Sequence, residues 1–283
     1  MNFNMNRTWS QAMALVRANF QLLAIIAGVF LLLPALVFAT VMPSTMDLMT
    51  LSENPEALEQ AMSGVLGPLI VYGLIGMLLQ FIGYGAMVAL IGGDRPTVGE
   101  AIMLGLRSLP TLILATLAFA LLYLVAVGVM SLLIGLVAGA LAAVGGNAIA
   151  VVVAAVLVLA MIVAVLYVMA RLSLTLPIVV LEGLRNPIAA LRRSWALTKP
   201  FGGPIFAFYL LLLVAYLVIS LLLFGVLGAV GALLGQGPAA ALLGGLAQGL
   251  TGAVLAMVMS GILVSMHQQL GGRSSVAIGD TFE

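Results

Sequence analysis

Long apolar runs separated by short polar segments set the pattern of this chain. They cover about 20–42, 65–92, 110–136, 148–172, 203–234 and 240–266. Each reaches the roughly 20 residues that a helix rising about 1.5 Å per residue needs to cross a hydrocarbon core of about 30 Å. Backbone inside a bilayer must satisfy its own hydrogen bonds, which leaves helices or a closed barrel. Barrel strands would alternate apolar and polar positions, and these runs are apolar on every face. The pattern therefore predicts an all-α, polytopic membrane helical bundle of about six transmembrane helices.

The polar segments carry a second pattern. Trp9, Met13, Val16 and Phe20 share one helical face, as do Val98, Ile102, Leu106 and Leu109, and again Ile188, Leu191 and Trp195. Such stripes predict amphipathic helices lying in the interface. The segments TWSQAM, TVGEAI and NPIAAL start at 8, 97 and 186, each ahead of a helical hairpin, and Gly92-Gly93-Asp94-Arg95 resembles Gly271-Gly272-Arg273. This suggests three repeats of amphipathic helix plus hairpin, over 1–93, 94–182 and 183–283, within one integral membrane domain and no soluble domain. Pro34 is expected to kink the first span and Pro177 the segment after the fourth. Ser52, Glu53 and Pro55 look like a helix start within the polar loop 43–64. Charge-free turns are expected at 137–147 and 235–239.

Composition agrees: 64% of the 283 residues are hydrophobic and 7% charged, against about 25% charged in soluble domains. Mean hydropathy is +1.30. A net charge of +1 argues against nucleic acid as a partner, and no cysteine is present. Orientation follows from the placement of Lys and Arg. All ten fall at the N-terminus, in 93–109, in 171–199 or in the tail, and none falls in 43–64 or in the two charge-free turns. With an even number of spans, both termini are expected in the cytoplasm of a bacterial cell, with the protein in its inner membrane. The first apolar run is too long for a cleavable signal.

Candidate chemistry is sparse. Arg171 follows about 23 uncharged residues and precedes another apolar run. It either snorkels to the headgroups or faces the bundle interior, paired with a carboxylate or a lipid phosphate. Glu182, about three turns on, lies on the same helical face if Pro177 permits. The Arg192, Arg193 and Trp195 helix presents an apolar stripe with a basic rim, suited to an anionic leaflet. Arg171, Glu182, Arg192, Arg193 and Trp195 are thus the candidate lipid- or anion-contacting residues. His267 is the sole histidine, so no histidine-pair metal site exists. The chain has no Gly-x-Ser-x-Gly elbow and no phosphate-binding loop, and no acidic residue falls mid-span. No catalytic residue, metal or cofactor is expected. Glycine pairs at 135/139, 231/235 and 245/249 are suited to close helix packing, within the chain or against a second copy or a membrane partner.

Around Arg171, the residues Leu172, Pro177, Ile178-Val179-Val180-Leu181-Glu182, Pro187, Ala190, Leu191, Arg193, Ser194, Trp195 and Leu197 resemble the membrane domain of bacterial glycerophosphoryl diester phosphodiesterases and related inner-membrane proteins of the YciC type. Gly93-Asp94-Arg95-Pro96-Thr97 fits the same pattern. The resemblance implies a six-helix membrane module, fused in some members to a catalytic domain whose residues this chain lacks. Diesterase activity is therefore not carried over. The expected function is non-enzymatic handling of membrane lipids or amphiphiles. The alternatives are a secondary transporter or channel, for which Gln80, Gln248, Thr251 and Ser260 are few polar groups, and a membrane scaffold or assembly subunit.

Overall fold

A computed structural model describes residues 3–41, 55–93, 96–234 and 238–271. These form α1 (Met5–Ala18), α2 (Phe20–Ala27), a π-helical turn (Gly28–Leu32) and α3 (Leu33–Val41), followed by α4 (Pro55–Gly92) and α5 (Val98–Gly145). Then come α6 (Asn147–Leu172), α7 (Thr175–Leu181), α8 (Pro187–Thr198), a 3₁₀ turn (Lys199–Phe201), α9 (Gly202–Leu234) and α10 (Pro238–Leu270). Six helical segments are long and apolar enough to span a membrane, and no strand occurs among the described residues. The fold is the all-α membrane bundle that the apolar runs predict.

Several boundaries differ from the sequence reading for local reasons. Proline ring closure at Pro34 removes a donor and crowds the Phe30 carbonyl, and the chain meets this with the wide π turn just upstream. The stretch from Pro55 is not a separate surface helix but the first turn of the 38-residue α4; the rest of the expected loop, 42–54, lies outside the described residues. The expected second interfacial helix runs unbroken into its span as the 48-residue α5. Its start is fixed by a capping box in which Thr97 Oγ1 accepts from the Glu100 N–H and the Glu100 carboxylate accepts from the Thr97 N–H. The expected turn at 137–147 contracts to one residue, Gly146, whose φ of 84° lets α5 reverse directly into α6. Of the expected turn at 235–239, residues 235–237 lie outside the described residues, and Pro238 opens α10.

The apolar stripes also pack differently from expectation. The residues of α1 that are buried are Thr8, Ala12 and Val16, while Trp9 and Phe20 face outward. This small-residue face lets α1 lie lengthwise along α10: a Cβ at Gly261 would sit 2.8 Å from Val16 and 2.9 Å from the Ala12 carbonyl. Gln11 completes the seam by accepting from Gln269 Nε2 at 3.1 Å and Ser265 Oγ at 3.2 Å. The α1–α3 rod continues antiparallel to α10, with Leu32 against Gly249 and Ala39 against Gly245. On α5 the buried residues near the start are Ala101, Gly105, Ser108, Thr111, Leu112 and Ala115, not the Val98–Leu109 stripe.

The core gathers at one end, which also carries Glu100, Arg107, Glu182, Arg193 and His267 and is called the polar end below. There Met87 and Val88 of α4, Leu174 and Ile178 around α7, Ile205 of α9 and Ile262, Val264 and Met266 of α10 are sealed from solvent. The far ends of α5, α6 and α9 expose their side chains instead, Val144 being 91% and Leu221 76% exposed.

Candidate functional site

The helix carrying Arg171 ends abruptly. α6 stops at Leu172, and α7 begins at Thr175 with Pro177 in its first turn. A break of this kind strands carbonyls, and inside a membrane each needs a donor. Hydroxyls supply them. Ser173 Oγ donates to the Ala170 carbonyl at 2.8 Å, Thr175 Oγ1 to Leu172 at 2.7 Å, and Ser194 Oγ to Arg171 at 2.9 Å. Thr198 Oγ1 lies 3.0 Å from the Arg171 carbonyl and 2.8 Å from that of Ser194. Ser194 and Thr198 reach α6 because α8 turns its small residues inward; Ala190, Ser194 and Thr198 are buried, while Ile188 and Trp195 face out. The expected stripe of Ile188, Leu191 and Trp195 is thus mainly the outer face of α8.

Arg171 itself is 3% exposed. Its Nη2 donates to the Trp195 carbonyl at 3.0 Å, and Nη1 to those of Thr198 and Lys199 at 3.2 and 3.3 Å. Its guanidinium therefore sits on the negative end of α8, where three carbonyls and the helix dipole take the place of a carboxylate. The Trp195 ring covers it at 4.4 Å and Tyr167 lies at 5.8 Å. A Cβ at Gly202 would fall 2.7 Å from Nη1, so α9 can start beside the guanidinium only with glycine there. The two helix ends cap each other.

Glu182 does not join this node, because the α6–α7 break takes it off the Arg171 face. Its Oε1 is 2.9 Å from His267 Nε2 and its Oε2 3.5 Å from Arg193 Nε, linking the end of α7 to α8 and α10. Arg193 and Glu182 are well exposed, so this pair contributes at most about 1 kcal/mol. Arg192 is exposed and makes no ion pair among the described residues. Nor do three His, Asp or Glu side chains converge there as a metal site would require.

Beside the node lies a cavity of about 600 Å³. Phe81 and Tyr84 of α4, Leu112 of α5, Leu172 and Ser173 at the break, and Tyr209 of α9 are among its walls, with Leu191 of α8 at one side. It is lined by hydrocarbon and hydroxyls, without a charged residue, and Arg171 does not reach it. The Tyr209 hydroxyl is buried beside Ser173. Sequence reasoning missed Tyr209 and Ser173, since lone hydroxyls in apolar runs carry no periodic signal. Thr198 and Gly202 were missed as well, and Ser194 entered only through the family resemblance, although the three are small residues spaced by four.

Fold and site together define a multi-pass helical membrane protein whose spans enclose an apolar cavity. Residues 149–276 match the family model for the membrane domain of glycerophosphoryl diester phosphodiesterase. That region holds the Arg171 node, Glu182, Arg193, Trp195 and His267. No curated protein and no solved structure matches the chain.

Proposed function

We propose that this is a non-enzymatic protein of the bacterial inner membrane that holds or moves membrane lipids or similar amphiphiles, with both termini in the cytoplasm. The apolar cavity beside Leu172 and Tyr209 carries this reading. Its volume falls in the range of about 300–1,000 Å³ typical of ligand sites, and its walls suit a hydrocarbon chain. Exposed Arg192 and Trp195 on α8 and Lys199 at the start of the 3₁₀ turn lie next in sequence to, or one or two turns from, Leu191, which lines the cavity. An anionic headgroup held there could pass its chain inward, about 1 kcal/mol coming from each basic residue near the surface. The family match supports a membrane module of lipid-related proteins.

The test is lipid retained by protein purified from membranes and weighed by native mass spectrometry. Leu213→Trp, which fills the cavity, is expected to lower the retained lipid at least threefold with the melting temperature unchanged. Arg192→Ala is expected to lower the anionic share alone. Unchanged retention in Leu213→Trp overturns the reading. The orientation is tested by a single cysteine placed at position 54, which should react with a membrane-impermeant maleimide from outside the cell.

A further inference from the structure

A second cavity, of about 620 Å³, lies farther from the polar end, between α4, α10 and the π turn and α3 of the first span. Gln80 of α4 and Gln248 of α10, two carboxamides far apart in sequence, line it together with Tyr72, and all three are exposed at its open side. Gln80 stands 12 residues before Gly92, about 18 Å along the helix from the polar end. Neither glutamine has a hydrogen-bond partner among the described residues. A carboxamide facing hydrocarbon alone is costly, since each offers two donors and an acceptor that nothing satisfies. Phe30, Pro34 and the π turn ahead of the proline form the third wall. Opposite, Gly73, Gly76 and Gly252 have open space where a Cβ would stand. Among the described residues, no Lys, Arg, His, Asp or Glu lines the cavity.

We infer that this cavity is a binding site for the uncharged head of an amphiphile that both donates and accepts hydrogen bonds, of which a monoacylglycerol is the model. A bare hydrocarbon tail would leave both carboxamides and the Tyr72 hydroxyl unpaired. An anionic head would meet no counter-charge. The site is separate from the cavity beside Arg171 and does not depend on what that cavity holds.

The full chain, reconstituted in phosphatidylethanolamine and phosphatidylglycerol vesicles, is photolabelled with a diazirine-bearing monoacylglycerol and, in parallel, with a diazirine-bearing alkane of equal length. Peptides covering 72–80 and 248–252 are expected to carry at least fivefold more label from the monoacylglycerol. The Gln80→Leu/Gln248→Leu pair should bring that ratio to one with an unchanged melting temperature, and Gly76→Leu should block both probes. Equal labelling by the two probes, as from a site holding water or tails only, overturns the inference, as does undiminished labelling of the double variant. Selective label confined to 172–176 and 209–216 also overturns it while sparing the first cavity. Label at 72–80 and 248–252 alone upholds it and counts against the first.

Discussion

At the polar end, α4 and α5 meet backbone to backbone: a Cβ on Gly105 would stand 2.6 Å from the Ile82 carbonyl and 2.9 Å from the Ala86 nitrogen. Farther along the same α5, Gly135 and Gly139 face open space, and Leu132 and Leu136 are exposed. One helix thus passes from a sealed seam with α4 to a two-helix hairpin with α6, in which Ile134 and Ala150 are buried and most larger side chains are exposed. The difference reflects the solvent. Lipid tails are as apolar as leucine, so burying leucine gains little in a bilayer, and helices associate through close packing and hydrogen bonds. The polar end is built accordingly from Gly, Ala, Ser and Thr contacts, and the far end leaves its Leu and Val to lipid.

That contrast can be broken at one end and should be indifferent to change at the other. Gly105→Leu is expected to have the largest effect, about 3 kcal/mol or more, because the clash is with backbone and α4 and α5 must part. Its check is loss of a cooperative thermal transition in detergent. Arg171→Met removes the guanidinium donors to the carbonyls of Trp195, Thr198 and Lys199, the first of which keeps Thr198 Oγ1 at 3.2 Å, and should destabilise by about 3 kcal/mol. Arg171→Lys keeps the charge but loses the fork that reaches three carbonyls, and about half of that loss should remain. Ser194→Ala removes one donor to the α6 terminus and should cost about 1 kcal/mol by the same melting measurement. Gly135→Leu should stay within about 0.5 kcal/mol. A loss as large as that of Gly105→Leu would mean that the far end is packed after all.

The spans were legible because apolar length alone reports them. What a stripe faces was not. Val98 and Ile102 do pack at the edge of the core, but Leu106 and Met103 are exposed while Ala101 and Gly105 are buried, because in a membrane larger apolar residues can equally face lipid. The glycine pairs show the same limit. Gly245 and Gly249 pack on α3 as expected, Gly135 and Gly139 touch nothing, and 231/235 falls partly outside the described residues. Arg171 was found by its isolation, yet its partners were not, since backbone carbonyls leave no mark in a sequence. Glu182 seemed to be in register only while the α6–α7 break was treated as a bend.

The length of α5 has a further consequence. Its 48 residues extend about 72 Å at 1.5 Å per residue, more than twice a hydrocarbon core of about 30 Å. Even a tilt of about 40°, the upper end for membrane helices, leaves a rise of about 55 Å. Charges mark its water boundary at Glu100 and Arg107 only; the other tip is apolar through Gly145. The α5–α6 hairpin therefore carries charge at one end only, and a mismatch of this size calls on tilting, on bending at Pro110 and on local thickening of the bilayer together.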